Sequence, residues 1–256
     1  MKKLNKKRLI VFILMLISIF GIIYNLKEIL LWKKNTDSND EIKNETHIDM
    51  DVDLDTIQKS TKSDEENIEE KVLEKLNNLK KQNTDTIGYI KVNNSYIDYV
   101  VVQANDNDYY LDKDFNKKKN VAGWIFADYR NQLDGTDRNI ILYGHNMKDG
   151  SMFGTLHKTH EREWQSNEEN LTIIFAYKNE IKKYKVFSTY EIDAEEFYIT
   201  TSFDDDGHYL KFLKTLKSRS NYNYDIYLKT SDNILTLSSC TSTGNRRTVL
   251  HAVEIK

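Results

Sequence analysis

Apolar residues follow three different patterns along this chain, and each pattern predicts a different kind of element. Residues 9–24 form one continuous apolar run behind a lysine-rich start, and scattered apolar positions continue to about Trp32. Residues 66–82 carry apolar side chains at helical spacing between an acidic start and a basic end, which is typical of an amphipathic helix. From residue 86 onward the apolar runs are short and turn-forming residues separate them, a pattern typical of a mainly β domain.

The β pattern consists of about eight short runs, each of which predicts a strand. They cover residues 87–92, 96–103, 123–127, 140–143, 171–177, 183–190, 234–240 and 248–255. Closely spaced strands with few helices predict an all-β barrel or a sandwich. Residues 206–218 have helical spacing and predict one helix inserted between strands.

The N-terminal apolar run approaches the ~20 residues that are needed to cross a bilayer. Its basic flank predicts a cytoplasmic N-terminus. A cleaved signal peptide is the competing interpretation, but the YNLK sequence that follows the apolar core, residues 24–27, contains no small-x-small cleavage site. We therefore predict an uncleaved membrane anchor over residues 1–32, with the remainder of the chain outside the cell.

Residues 33–65 are polar and acidic, and they predict a solvated linker because they bury too little apolar surface to offset the entropy of ordering. Ile48, Met50, Val52 and Leu54 alternate as in a short strand, but no nearby segment is an obvious partner for it. The acidic positions lack the glycine and terminal glutamate of a calcium loop. The predicted organisation is an anchor over 1–32, a linker over 33–65 and a catalytic domain over 66–256.

Composition narrows the class of protein further. The 256 residues are enough for one domain of ordinary size with appendages. A net charge of −3 argues against a general nucleic-acid-binding protein, because phosphate recognition needs a basic surface. The single cysteine excludes an internal disulfide framework.

That cysteine lies at the end of a predicted strand. Alternation in residues 234–240 places the leucines on one face and the small polar residues with Cys240 on the other. Arg247 begins the next run after a turn-rich segment, so an antiparallel pair would bring Cys240 and Arg247 together. A lone cysteine is more often a small buried hydrophobe than a nucleophile. Here hydroxyl neighbours, the arginine and an upstream strand that ends in His145 favour a thiol activated by a histidine.

Four stretches of the sequence match a known family in the same order. Residues 236–240, TLSSC, resemble the TLxTC signature of sortases, with Ser239 in place of the threonine before the cysteine. Residues 143–153, YGHNMKDGSMF, resemble the YGHN-x-x-x-G-x-MF stretch of class B sortases, and residues 101–111 and 123–130 match that class as well. The ordered co-occurrence of these motifs is far more specific than any one of them.

The resemblance implies an eight-stranded sortase-type β-barrel with an N-terminal helix and one inserted helix, preceded by a transmembrane helix. It implies a cysteine transpeptidase that cleaves secreted proteins after the threonine of a C-terminal sorting motif and transfers them to a peptidoglycan amine. The motif would be of the Asn-Pro-x-Thr type or a Pro-x-Thr-Gly relative, and its first residue stays open because Thr241 stands where some members carry an acidic residue. No step requires a metal or another cofactor.

Three alternatives remain open at this stage. A pilin-polymerising sortase would use a lysine side chain as the acceptor. A cysteine peptidase would release the product to water, and a non-catalytic, membrane-tethered binding module would keep the barrel without using the thiol.

The resemblance and the residue types together predict the roles of the site residues. Cys240 would attack the peptide carbonyl, His145 would transfer protons, and Arg247 would hold the oxyanion or the substrate backbone. Arg246 is adjacent and would point to the opposite face, so the two arginines could exchange assignments. The resemblance also implies that the peptide groove is lined by Asn107, Leu111, Tyr143, Tyr198, Ile199 and Ser238. For Tyr198, ordinary barrel packing is an equally good explanation.

The other histidines have weaker claims to chemistry. His157 and His160 are expected on a solvated face and lack a nearby third ligand for a metal site. His251 lies inside the last strand and is expected in a core or subsite position.

Overall fold

The structure, a computed structural model, describes residues 6–49, 62–240 and 245–255, and describes only the backbone at 62–68 and at Cys240. The chain forms two compact units, Met1–Glu41 and Ile42–Lys256. In the described part the α-helices are α1 (Lys6–Thr46), α2 (Lys62–Gln82), α3 (Arg162–Ser166) and α4 (Asp206–Arg219). The strands are β1 (Thr86–Val92), β2 (Asp98–Val102), β3 (Phe126–Ala127), β4 (Asn139–Gly144), β5 (Thr172–Tyr177), β6 (Glu180–Asp193), β7 (Ile234–Cys240) and β8 (Arg246–Ile255).

Helix α1 contains the N-terminal apolar run and is long and apolar enough to cross a membrane. Its apolar side chains are exposed, with Phe20 at 72% and Leu30 at 67% of their full accessible surface. The predicted linker begins at residue 33, whereas α1 continues to Thr46.

Burial in the second unit explains this continuation of the helix. Ile42 and Ile48 are 5% and 4% exposed and belong to the main hydrophobic core. Lys43 Nζ donates to the carbonyl of Tyr96 at 2.8 Å. These contacts come from distant parts of the chain, so the polar local sequence does not predict them. Three of the four residues of the possible short strand, Met50, Val52 and Leu54, lie outside the described residues, and the domain boundaries at 32 and 65 stay a prediction.

The eight strands form a closed barrel in the order β1-β2-β3-β4-β7-β8-β6-β5, and β5 pairs with β1 to close it. The predicted barrel is therefore confirmed and the alternative sandwich is wrong. Strand β3 pairs parallel with β2 and β7 pairs parallel with β4, while the remaining neighbours are antiparallel.

Strand β3 is much shorter than the predicted run over 123–127. Gly123 has a positive φ of 57°, and a Cβ there would lie 2.4 Å from the carbonyl oxygen of Tyr110. The N–H of Trp124 donates to that same carbonyl at 3.0 Å. This turn occupies the backbone before Phe126, so only two residues join the sheet.

Helix α4 covers the outside of the barrel against β6, β7 and β8. Its buried residues are Tyr209, Phe212, Leu213 and Leu216, which pack with Phe187, Ile234 and Val249 in a second core cluster. The neighbouring positions of β7, Leu235 and Leu237, belong instead to the main core. Strand β7 is therefore buried on both faces, which holds its C-terminal end in place.

A chain of buried polar side chains runs through the barrel wall. His251 is fully buried, its Nε2 lies 2.9 Å from the hydroxyl of Tyr190, and its Nδ1 lies 2.8 Å from the hydroxyl of Thr236. Thr236 donates to Asn139 Oδ1 at 2.7 Å, and Asn139 Nδ2 donates to the carbonyl of Thr200 at 3.0 Å. His251 thus occupies a hydrogen-bonded core position, as expected, and the chain connects four strands to the segment around Thr200.

Burial, helped by the positive charge of Arg219, lowers the pKa of His251 to about 3. An unfolded histidine has a pKa of about 6.5, so unfolding takes up a proton between these two values. Stability should therefore fall as the pH drops from about 6.5 toward 3, by ~1.4 kcal/mol per pH unit from this group.

We expect a His251→Gln variant to be less stable at neutral pH, because glutamine cannot reproduce both ring hydrogen bonds, but to lose less stability on acidification. The measurement is the free energy of unfolding by urea at pH 4.5 and at pH 7 for the full chain in mild detergent. His157→Gln, which changes an exposed histidine, is the matched control. Equal pH slopes in wild-type and His251→Gln protein would contradict the assignment.

Candidate active site

Three strand ends meet at one edge of the barrel. In the parallel pair of β4 and β7, Gly144 lies opposite Ser239, so both strands end side by side. In the antiparallel pair of β7 and β8, Cys240 lies opposite Arg247. His145 follows β4 directly. The backbone therefore brings the segments that carry His145, Cys240 and Arg247 to the same place; the sequence predicted the antiparallel pairing of β7 and β8 but not the parallel pairing of β4 and β7.

A cavity of about 300 Å³ opens beside these strand ends. All six residues predicted to line a peptide groove contribute to its wall, together with His145 and Arg247: Asn107, Leu111, Tyr143, Tyr198, Ile199 and Ser238. Four further residues, which were not predicted from the sequence, also line the cavity: Phe126, Gly144, Ala194 and Glu195. Phe126 and Gly144 belong to the stretches that resemble class B sortases, whereas no sequence signal marks Ala194 or Glu195.

His145 is half-buried and held by a backbone carbonyl. Its Nε2 lies 2.7 Å from the carbonyl oxygen of Leu111. A carbonyl can only accept, so Nε2 carries a proton and Nδ1 is left as the nitrogen that can gain or lose one. The loop after His145 is compact, because Phe153 N–H donates to the His145 carbonyl at 3.0 Å and a Cβ on Gly154 would lie 2.3 Å from the carbonyl oxygen of Met147. The ring is thus oriented before any substrate binds.

The two adjacent arginines have different surroundings. Arg246 points away from the cavity, with NH1 3.2 Å from a carboxylate oxygen of Glu191 and Nε 3.9 Å from one of Asp193. Arg247 is half-buried, lines the cavity, and donates from NH1 to the carbonyl of Arg246 at 3.1 Å. The structure therefore favours Arg247 over Arg246 as the guanidinium that a peptide would meet.

A hydrogen bond between two hydroxyl groups joins Tyr198 and Ser238 in the wall of the cavity. Tyr198 is 2% exposed, and its hydroxyl lies 3.0 Å from that of Ser238. Tyr198 also belongs to the core cluster beneath α4. It is therefore both a packing residue and part of the cavity wall, and its contact with a peptide stays a prediction.

A buried carboxylate lies behind Asn107 and Tyr143, which line the cavity. Asp128 has no exposed surface, and it accepts hydrogen bonds from the hydroxyl of Tyr143 at 2.8 Å and from Asn107 Nδ2 at 3.1 Å. Arg130 binds the same carboxylate through Nε at 2.8 Å and NH2 at 2.7 Å. Burial alone would raise the pKa of Asp128, but the hydrogen bonds and charge of Arg130 and the bond from Tyr143 hold it below its ordinary value. Burial, with the Asp128 charge, raises the pKa of Tyr143.

Comparison with known proteins identifies the family. The family model of the sortase domain matches residues 90–255. This chain belongs to the sortase family. Sortase B of Listeria monocytogenes is 36% identical to it over 176 residues, which are 68% of this chain and 70% of that protein.

Solved structures of class B sortases resemble the chain over most of its length. Clostridium perfringens sortase B is 37% identical with a TM-score of 0.67, over 70% of this chain and 99% of that one. The Staphylococcus aureus sortase B-substrate complex is 30% identical with a TM-score of 0.72, over 88% of this chain and 97% of that one. The predicted membership of class B is confirmed, and the protein is a cysteine transpeptidase of the cell wall.

The remaining histidines of the sortase lie away from this cavity. His157 is exposed, as predicted. The prediction of a solvated face is wrong for His160, which is half-buried in the 3₁₀ turn Leu156–His160, has no hydrogen-bond partner for Nε2 in the described part of the chain, and has its pKa lowered by burial. Among the described residues no group of three histidine, cysteine or acidic side chains is arranged to hold a metal ion.

Proposed function

We propose that this sortase is a membrane-anchored transpeptidase that cleaves a C-terminal sorting motif after threonine and joins the threonine to an amine of the peptidoglycan precursor or cross-bridge. The motif is of the Asn-Pro-x-Thr type or a Pro-x-Thr-Gly relative. One observation carries the proposal: the cavity at the ends of β4 and β7 is lined by His145, Arg247 and the whole predicted groove set, beside the backbone of Cys240.

The chemistry follows from these residue types. The Cys240 thiolate attacks the threonine carbonyl carbon, and the resulting tetrahedral oxyanion collapses to a thioester as the C–N bond breaks. His145, protonated on both ring nitrogens, donates a proton to the departing amine. In the second half, neutral His145 takes a proton from the incoming amine, which attacks the thioester and releases the thiolate.

Arg247 is proposed to stabilise the oxyanion and to orient the peptide. Its guanidinium is permanently charged and presents several donors in a fixed plane, so it can bind two acceptors at once. Its half-buried position on the cavity wall supports this role, because a partly desolvated cation interacts more strongly with developing charge than a solvated one.

We expect Cys240→Ala and His145→Ala to abolish peptide cleavage, because each removes a group that forms or breaks a covalent bond. Arg247→Lys should lower kcat by about 10²–10³-fold, the usual effect of losing an oxyanion donor, because an ammonium cannot replace the guanidinium fork. The measurement is steady-state cleavage of a fluorogenic sorting peptide by the full chain. Arg246→Lys is the matched control and should stay within a few-fold of wild type; a large defect in Arg246→Lys with an active Arg247→Lys would reverse the assignment.

We expect added amine to change the product, because a thioester protected from water is released by aminolysis. With a peptidoglycan-type amine acceptor, mass spectrometry should detect the threonine-amine adduct as the main product and the hydrolysed acid as the minor one. Hydrolysis alone at saturating acceptor would indicate a peptidase instead. Efficient use of a lysine side chain within a protein domain, with no reaction of the cell-wall amine, would indicate a pilin-polymerising enzyme. Trapping the acyl-enzyme with a small library of motifs identifies the preferred first residue.

The apolar part of α1 supports anchoring in the membrane, and the basic residues before it support a cytoplasmic N-terminus with the catalytic domain outside the cell. In intact cells, added protease should then digest the catalytic domain of the full chain. Protection of that domain would contradict the orientation.

We expect removal of residues 1–35 to give a soluble, active enzyme, because the exposed apolar run is lost while Ile42 and Ile48 stay in the core. Removal of residues 1–49 should lower the Tm as well, since burying one such side chain stabilises the fold by about 1.5–3 kcal/mol. Membrane fractionation, peptide cleavage and thermal unfolding of both versions check this, with the full chain as control. An insoluble or inactive protein after removal of 1–35 would show that this segment is part of the enzyme.

A further inference from the structure

The buried carboxylate of Asp128 is saturated with hydrogen bonds. Besides the bonds from the Arg130 side chain, Asn107 and Tyr143, it accepts one from the backbone N–H of Arg130 at 2.9 Å. A carboxylate offers about four acceptor positions, so these partners occupy all of its capacity. Two of the partners, Asn107 and Tyr143, line the cavity.

Arg130 links this carboxylate to Ile199, a lining residue from a different segment of the chain. Its NH2 donates both to Asp128 Oδ2 at 2.7 Å and to the carbonyl of Ile199 at 3.0 Å. Ile199 lies in the 3₁₀ turn Phe197–Ile199, which forms a second wall of the cavity besides the one that contains Asn107 and Tyr143. A single guanidinium therefore connects the two walls.

We propose that Arg130 and Asp128 form a clamp that holds the two walls of the cavity at a fixed separation and sets the hydrogen-bonding direction of Tyr143 and Asn107, and so determines how tightly the sorting peptide binds. Neither residue is among those that line the cavity. Both are thus positioning residues, and this inference rests on the proposed function.

The second part of the clamp's role follows from the chemistry of a carboxylate. An ionised carboxylate only accepts, so Tyr143 must donate its hydroxyl proton to Asp128 and Asn107 must turn its NH2 group toward it. The amide oxygen of Asn107 is occupied by the N–H of Tyr129 at 3.0 Å. The Tyr143 oxygen can then accept, both from the neighbouring Arg130 guanidinium and through its second lone pair, and the second Asn107 amide hydrogen is left as a donor. This pair is complementary to the N–H and C=O of an extended peptide backbone.

Asp128 and Arg130 both stay charged over the working range of pH, so their ion pair persists. The pKa of Asp128 is below its ordinary value near 3.9, so the carboxylate stays charged above that pH. The groups that face it are the Arg130 guanidinium, the Tyr143 phenol and the Asn107 amide. The guanidinium is always protonated, and the phenol has a raised pKa.

The test uses Arg130, because its side chain is 37% exposed and its substitution opens no apolar cavity; the Tm of each variant checks that the fold survives the loss of the Asp128 partner. We expect Arg130→Gln and Arg130→Lys to raise KM for a sorting peptide at least ~10-fold while kcat changes less than about 3-fold, since lysine cannot bind the carboxylate in a bidentate manner and still reach Ile199. Arg138→Gln is the matched control, because Arg138 is 36% exposed and is ion-paired to Asp206 outside the cavity. It should keep the wild-type KM.

Three further measurements, of peptide Kd, of Cys240 alkylation and of KM in an Asp128 variant, separate positioning from a structural or chemical role. In the Cys240→Ala background, Arg130→Gln should raise the Kd of a labelled peptide by the same factor as KM. The rate and pH profile of Cys240 alkylation by iodoacetamide should be unchanged in Arg130→Gln, because the clamp does not act on the thiol. Asp128→Asn, checked for folding by its Tm, should raise KM at least as much as Arg130→Gln.

The outcomes are distinct. Wild-type KM in both Arg130 variants, while wild-type enzyme cleaves the peptide, would overturn the clamp alone. A parallel loss of kcat and of alkylation rate would overturn it as well, because Arg130 would then act on the reacting groups or on the fold. A wild-type enzyme that cleaves no sorting peptide would overturn the proposed function, and the clamp with it.

Discussion

Strand β4 lies parallel to β7, and this pairing is the constraint on which the site depends. Parallel neighbours need a long crossover connection, and here the crossover contains β5, β6 and α4. The register that places Gly144 opposite Ser239 brings the two C-terminal ends together, so the loop that begins at His145 starts beside Cys240. Strand β8 then starts at the same edge with Arg246 and Arg247. The backbone segments that carry His145, Cys240 and Arg247 converge because hydrogen bonds along β7 fix both of its neighbours.

The chemistry is placed on rigid elements, while loops shape the pocket around it. Strand β7 is buried on both faces, with Leu235 and Leu237 in the main core and Ile234 in the cluster beneath α4. Such an element transmits little motion to its end, which favours a constant geometry of the thiol segment. The 3₁₀ turn Phe197–Ile199 is different, because it is a short connection that needs other groups to hold it.

Two polar networks, one through Asn139 and one through Arg130, donate hydrogen bonds to the backbone of that turn. From the barrel wall, Asn139 donates to the carbonyls of Tyr198 at 3.3 Å and Thr200 at 3.0 Å, supported by Thr236 and His251 behind it. At the surface, the partly exposed Arg130 side chain donates to the carbonyl of Ile199. Buried polar groups are costly unless they are paired, so a network that satisfies its members specifies one arrangement of the backbone. The barrel thus positions this wall of the cavity with the same hydrogen bonds that stabilise its core.

Sequence alone determined the parts of this protein that depend on local pattern. The apolar run, the amphipathic helix and the strands have characteristic periods, and the resemblance to class B sortases predicts the site residues His145, Cys240 and Arg247 and the groove residues. Only the tertiary structure decided between a barrel and a sandwich, because strand order is set by hydrogen bonds between distant segments. The continuation of α1 to Thr46 and the partial burial of His160 are also visible only in the tertiary structure. The same is true of the different surroundings of Arg246 and Arg247, and of the position of Asp128 and Arg130 behind the cavity. Each of these depends on burial and partners that come from elsewhere in the chain, and such contacts leave no periodic signal in the residues themselves.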